Sequence, residues 1–213
     1  VTATNLVVVT KATPGITWSP AGAMVYGTAL SAAQLNATGS VAGTMAYSPT
    51  NGTVLNVGTN PVVATFTASD SNNYVTPVTA TNLVVVTKAT PGITWANPAA
   101  ITYGTALSAT QLNATGGVTG SFTYSPSAGI VLPAGTSILT AVFIAGDPNY
   151  VSPVTNTVNL VVNKAALSVT GVSIADKTYD GNNRAAVVGT PSYNGLVGGD
   201  SFAVAGVPTA TFA

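Results

Sequence analysis

The chain has no cysteine and no histidine. The first absence removes disulfide stapling and thiolate metal sites, and leaves the compartment open. The second removes Ser-His-Asp and Cys-His catalysis and most zinc chemistry. Charge is nearly absent too: four Lys, one Arg and five Asp carry all of it, with no Glu, and the net charge is zero. Helical proteins cover their exposed faces with Glu, Lys, Gln and Arg, which lose little rotamer entropy in a helix, and that supply is missing. Nucleic-acid binding draws on clustered Lys and Arg to neutralise phosphates, and five basic residues spread along the chain make no patch. Apolar runs stay strand-sized, as in Leu83 to Val86, short of the roughly 18 residues that cross a bilayer as a helix, so no direct membrane insertion is expected.

What is present is Val and Thr beside 22 Gly and 13 Pro, with 46% hydrophobic residues. That mixture reads as short β-strands separated by turns, and a disordered chain would be less apolar and more charged. The expected fold class is all-β.

The order of residues is repetitive. Lys11-Ala12-Thr13-Pro14-Gly15-Ile16-Thr17-Trp18 returns as Lys88 to Trp95, a shift of 77 positions. The same shift carries Tyr26-Gly27-Thr28-Ala29-Leu30-Ser31-Ala32 onto Tyr103 to Ala109, and Gln34 to Gly39 onto Gln111 to Gly116. Asp70 maps to Asp147, and Tyr74 to Tyr150 after one residue is lost. Collinear identity of this length is internal duplication. Val1 to Thr10 is identical to Val78 to Thr87, and the frame recurs once more as Asn159 to Lys164. Four segments follow: 1–10, the terminal strand of a preceding repeat; 11–87 and 88–163, two repeats; and 164–213, the start of a different β-module, expected to be incomplete or completed by something else. The opening Val1-Thr2-Ala3-Thr4 has no charged leader region, and the chain is expected to begin inside a longer polypeptide.

Within a repeat, the pairs Val62/Leu139, Ala64/Ala141, Phe66/Phe143 and Ala68/Ala145 alternate with period two, which predicts a strand with one core face. Further strands are predicted around Met24/Ile101 with Tyr26/Tyr103, around Met45/Phe122 with Tyr47/Tyr124, and around Val84/Leu160 with Val86/Val162. Turn signals at Ser48 to Gly52, Asp70 to Asn73 and Asp147 to Asn149 separate them. Together these predict a small antiparallel sandwich of six or seven strands per repeat.

Tyr103-Gly104-Thr105-Ala106-Leu107-Ser108, Gln111 to Ala114, Phe122-Thr123-Tyr124-Ser125-Pro126, Val131 to Thr136 and the Asp147-Pro148-Asn149-Tyr150 turn resemble the immunoglobulin-like repeats of long secreted and surface proteins of bacteria. Lys177-Thr178-Tyr179-Asp180-Gly181, with Gly195-Leu196-Val197-Gly198-Gly199-Asp200, resembles the YDG-type repeat related to MBG modules of bacterial adhesins. The resemblance implies tandem immunoglobulin-like β-sandwich modules that hold a binding or enzymatic head away from the cell, and no catalytic residues carry over with it.

Calcium is the one ligand to weigh, since hard oxygens can come from Asp, Asn and carbonyls: Asp70, Asp147, Asp176 and Asp180 are the candidate ligands. Against this, Asp and Asn cap their own turns. Trp18 and Trp95 could stack on sugars, but one Trp per repeat at a fixed register fits a packing role better. Tyr74 and Tyr150 read as turn anchors whose hydroxyls reach backbone. Lys11, Lys88 and Lys164, one per junction, read as blunting a strand end or setting a hinge. A Lys-to-acid crosslink would need a buried acid, and the single acid of each repeat lies in a polar turn. Glycosidic hydrolysis needs two facing carboxylates, so no enzyme is expected.

The expected role is a stalk or shaft of an extracellular or cell-surface repeat protein, with neighbouring repeats of the same polypeptide as partners. A self-assembling fibre joined by strand addition between copies of the chain, and a module binding surface glycans, are the alternatives.

Overall fold

The structure is a computed structural model that describes residues 4–19, 22–201 and 210–211. Those residues contain strands and turns and no helix, so the protein is all-β. Two compact units form: Val1–Gly92, Gly116–Ser121 and Ile144–Val154 make the first, and Ile93–Thr115, Phe122–Phe143 and Thr155–Ala213 the second.

The first copy of the repeat supplies β1 (Ile16–Thr17), β2 (Met24–Val25), β3 (Thr38–Gly39), β4 (Gly43–Ser48), β5 (Gly58–Ala68) and β6 (Val78–Thr87). Four of these make a sheet in the order β2-β6-β5-β4, and β1 pairs with β3. The long strands β5 and β6 are antiparallel, with Phe66 opposite Val78 and Thr59 opposite Val85. The sheet is mixed, which corrects the antiparallel expectation: β2 runs parallel to β6, with Met24 opposite Val86. A strand of two residues entering from a turn can align with either direction of its neighbour, and nothing in its side-chain pattern records which.

Period-two alternation along β5 places Val62, Ala64, Phe66 and Ala68 in the interior, and Val62 clusters with Val84 and Val86 of β6. Burying each large aliphatic side chain stabilises the fold by about 1.5–3 kcal/mol. Met24, Leu30 and Leu55 complete this core, and Trp18, Tyr26, Leu35 and Val57 pack against it half-buried.

The second copy repeats the plan with β7 (Ile93–Thr94), β8 (Ile101–Thr102), β9 (Thr115–Gly116), β10 (Gly120–Ser125), β11 (Gly135–Ala145) and β12 (Val154–Asn163). Its sheet runs β10-β11-β12-β8, again with the short strand β8 parallel to its neighbour β12. Leu139, Ala141, Phe143, Leu160 and Val162 are buried as their counterparts are, whereas Ala145 is only half-buried where Ala68 is buried. Cis peptide bonds precede Pro49, Pro77, Pro126 and Pro153, at matching positions of the two copies.

Residues 4–10 differ from β6 in structure. They repeat the sequence of β6, yet they form no strand. In β6, Val84 and Val86 are 1% and 3% exposed, while the identical positions Val7 and Val9 are 85% and 89% exposed. A strand is stabilised by its neighbours on both sides and by burial of one face, and none of the described residues pairs with 4–10.

After Lys164 come β13 (Ser168–Ile174), β14 (Arg184–Ala185), β15 (Val187–Asn194) and β16 (Ala210–Thr211), with β13 antiparallel to β15 and β14 to β16. The β13 and β15 pairing shifts register between Thr170 and Val172, where Gly171 takes a φ of 80° that a side chain would resist. None of the described residues after Val162 is buried.

Candidate functional site

Each repeat presents the same local devices at matching places. Trp18 donates its indole N–H to the carbonyl of Gln34 at 2.9 Å, and Trp95 donates to the carbonyl of Gln111 at 3.1 Å. Each indole also meets a tyrosine edge-on, Tyr47 at 5.6 Å and Tyr124 at 5.5 Å between ring centres. Trp95 is buried and Trp18 half-buried.

The residues that hold these tryptophan acceptors were not singled out from the sequence. Gln34 Oε1 accepts from the backbone N–H and the hydroxyl of Ser31, both at 3.1 Å, and Gln111 Oε1 accepts from the same groups of Ser108 at 3.1 Å. This is the Gln half of a capping box, closing a single turn with no helix behind it. The Ser-x-x-Gln spacing was its available signal.

The acids lie in turns. Asp70 accepts from the backbone N–H groups of Asn72 and Asn73, each at 3.1 Å, and from Asn73 Nδ2 at 2.8 Å. These bonds, the Asn73 side chain first, hold its carboxyl below the usual range. Asp147 accepts from Asn149 N and Nδ2, both at 2.8 Å, and its second oxygen accepts the hydroxyl of Tyr26 at 3.4 Å. Asp180 is bonded by the Lys177 ammonium and by Asn182, whose N and Nδ2 lie at 3.1 and 2.8 Å, and Lys177 is the first cause of its lowered carboxyl pKa. Asp176 is exposed between β13 and β14. Among the described residues no three acids gather into a group that could hold a metal ion.

Tyr74 and Tyr150 anchor their turns through backbone: parallel bridges join Ala12 to Tyr74 and Ala89 to Tyr150. The hydroxyls with acid partners are instead those of Tyr26 and Tyr103, the latter donating to Asp200 at 3.0 Å. Tyr26 also packs edge-on against Tyr150, with ring centres 5.5 Å apart. Lys11 donates to the carbonyl of Ser71 at 2.7 Å, over the Asp70 turn. Lys88 is exposed, and Lys164 is exposed beside Tyr103 and Leu167.

Asp70, Asp147 and Asp180 close turns, Asp147 and Asp200 also meet tyrosine hydroxyls, and none of the buried side-chain polar atoms lacks a partner among the described residues. This defines an all-β chain whose recurrent polar groups sit at turns. Residues 163–213 match the family model of the YDG domain, so this segment is a YDG-like module. No curated protein matches the chain.

Proposed function

We propose that the chain is a structural spacer, part of the stalk or shaft of an extracellular or cell-surface repeat protein of bacterial type. In this reading residues 11–87 and 88–163 are tandem immunoglobulin-like β-sandwich modules, a YDG-like module follows, and the protein is not an enzyme. Neighbouring repeats are its main partners, and it holds other domains at a distance. The observation that carries the reading is duplication without chemistry. The two copies reproduce the same tryptophan bond, the same Ser-Gln turn and the same acid turn, and in each the potentially reactive side chains serve geometry. Small-angle X-ray scattering of this chain and of arrays with added repeats tests it. The maximum dimension should grow by a constant step per repeat, and a compact profile of constant dimension defeats the reading.

A fibre subunit joined by strand addition is a second reading, supported by the exposed apolar run Leu6-Val7-Val8-Val9, which has the sequence of a strand buried on one face. Sedimentation of the purified chain over a wide concentration range separates the two. Persistent monomer eliminates the fibre, and ordered filaments favour it over the spacer.

A further inference from the structure

We propose that the Tyr-Gly-Thr turn of each repeat is a docking socket for a carboxylate-bearing turn of the segment that follows it in sequence, and that one socket type receives two unrelated segments. The backbone frame of the socket is built the same way twice. Tyr26 N donates to the carbonyl of Thr87 at 2.9 Å, and Tyr103 N to that of Asn163 at 2.8 Å, so each tyrosine is fixed to the end of the strand that closes its own repeat. Gly27 and Gly104 follow with φ of 92° and 97°, and the turns close through Thr28 N to Val25 O and Thr105 N to Thr102 O. A second wall comes from the loop before the long strand: Asn56 and Val57 in one copy, Ala134 in the other.

The occupants differ. In the first unit the socket holds the Asp147-Pro148-Asn149-Tyr150 turn. Tyr26 donates to Asp147, Val57 N donates to Asn149 Oδ1 at 2.8 Å, and Asn149 Nδ2 reaches Asn56 Oδ1 at 3.3 Å. In the second unit the socket holds a Gly-Gly-Asp turn of the YDG-like segment. Tyr103 donates to Asp200, and Val197 lies so close to Gly104 that an added Cβ would meet Val197 Cγ2 at 2.7 Å. The shared element is a phenolic donor at a fixed place facing a carboxylate, at 3.0 Å for Tyr103 and at a longer 3.4 Å for Tyr26. Apart from the glycine before each acid, Gly146 and Gly199, the two occupants differ in sequence. The 77-residue shift then assigns Asp70 as the acid that fits a Tyr-Gly-Thr turn of another repeat.

The significance for a shaft rests on the spacer reading, but the socket is tested without it, by nuclear magnetic resonance on the whole chain. In the wild-type protein the Val57 amide should be protected from hydrogen exchange, and a contact between Val197 methyls and the Gly104 α-protons should be seen. Asn149→Ala and Asp147→Ala should each speed Val57 exchange about tenfold, the loss expected of one hydrogen bond, while the Ala64 and Phe66 amides keep wild-type rates. Asp200→Ala should abolish the Val197 to Gly104 contact and leave the second repeat's core signals in place. Unprotected Val57 in the wild type, or Val57 protection and the Val197 contact that survive these substitutions, overturns the socket whatever scattering shows.

Discussion

The hydroxyl of Tyr26 meets Asp147 Oδ2 at 3.4 Å across 121 residues of sequence, and the counterpart of Tyr26 in the next repeat, Tyr103, meets Asp200. A negative charge beside a phenol opposes formation of phenolate. The pKa of Tyr26 is therefore raised from its ordinary value of 10.0, with the Asp147 charge as the largest cause and burial next. Tyr103 is raised as well, there mainly by its hydrogen bond to Asp200.

Asp147→Asn should bring Tyr26 ionisation back toward the ordinary value, read as an earlier rise of tyrosinate absorbance in an alkaline titration. The stability consequence has a definite sign. A group whose pKa is raised on folding contributes stability that is fully present below its unfolded value, near 10.0 here, and is lost as pH rises through the folded value. Wild-type stability should therefore fall more steeply above that pH than that of the variant in urea titrations. Parallel curves would remove the Asp147 charge as the cause.

Asp180 has the opposite dependence. Its carboxyl is held below the ordinary 3.8 first by Lys177 and then by Asn182, so its contribution is present above 3.8 and lost as pH falls through the lower folded value. Lys177→Met should move the Asp180 carboxyl carbon titration upward toward 3.8. An unmoved titration would mean that the Asn182 bonds alone set it.

Phe66 lies close against two glycines. A Cβ at Gly43 would stand 2.5 Å from Phe66 Cζ and 2.4 Å from the carbonyl of Thr67, and one at Gly39 would stand 2.4 Å from Phe66 Cε2. Gly43→Ala and Gly39→Ala should each destabilise by about 1–3 kcal/mol through overpacking. Urea unfolding measures this, with Gly92→Ala as control because a Cβ there meets nothing within 4 Å. Equal midpoints for all three would show that the Phe66 ring and the Thr67 carbonyl both give way freely.

These cases separate what the sequence makes legible from what it hides. Alternation at Val62, Ala64 and Phe66 marked the core face of β5 because a strand's side-chain period is fixed by its backbone. The identical runs Val78 to Thr87 and Val1 to Thr10 mark the limit of that logic: the first is a strand and residues 4–10 of the second are not, since pairing partners decide and the pattern names none. The direction of β2 was equally hidden. Tyr26 and Asp147 were each visible as recurrent residues, but their contact depends on how turns far apart in sequence come together.

The Ser-Gln turn gives a last, graded expectation. Gln111 is 7% exposed, and its Oε1 is the acceptor for both the N–H and the hydroxyl of Ser108. Truncation to alanine leaves those donors without their acceptor and opens space beside Leu112, at a cost of about 1–3 kcal/mol. The Trp95 bond goes to the main-chain carbonyl of Gln111 and survives the change. Gln34 makes the same bonds to Ser31 but is only half-buried, so water can replace its acceptor and Gln34→Ala should cost less. Unfolding followed by tryptophan fluorescence compares the two in one chain. A larger loss at Gln34 than at Gln111 would mean that burial does not set the strength of this turn.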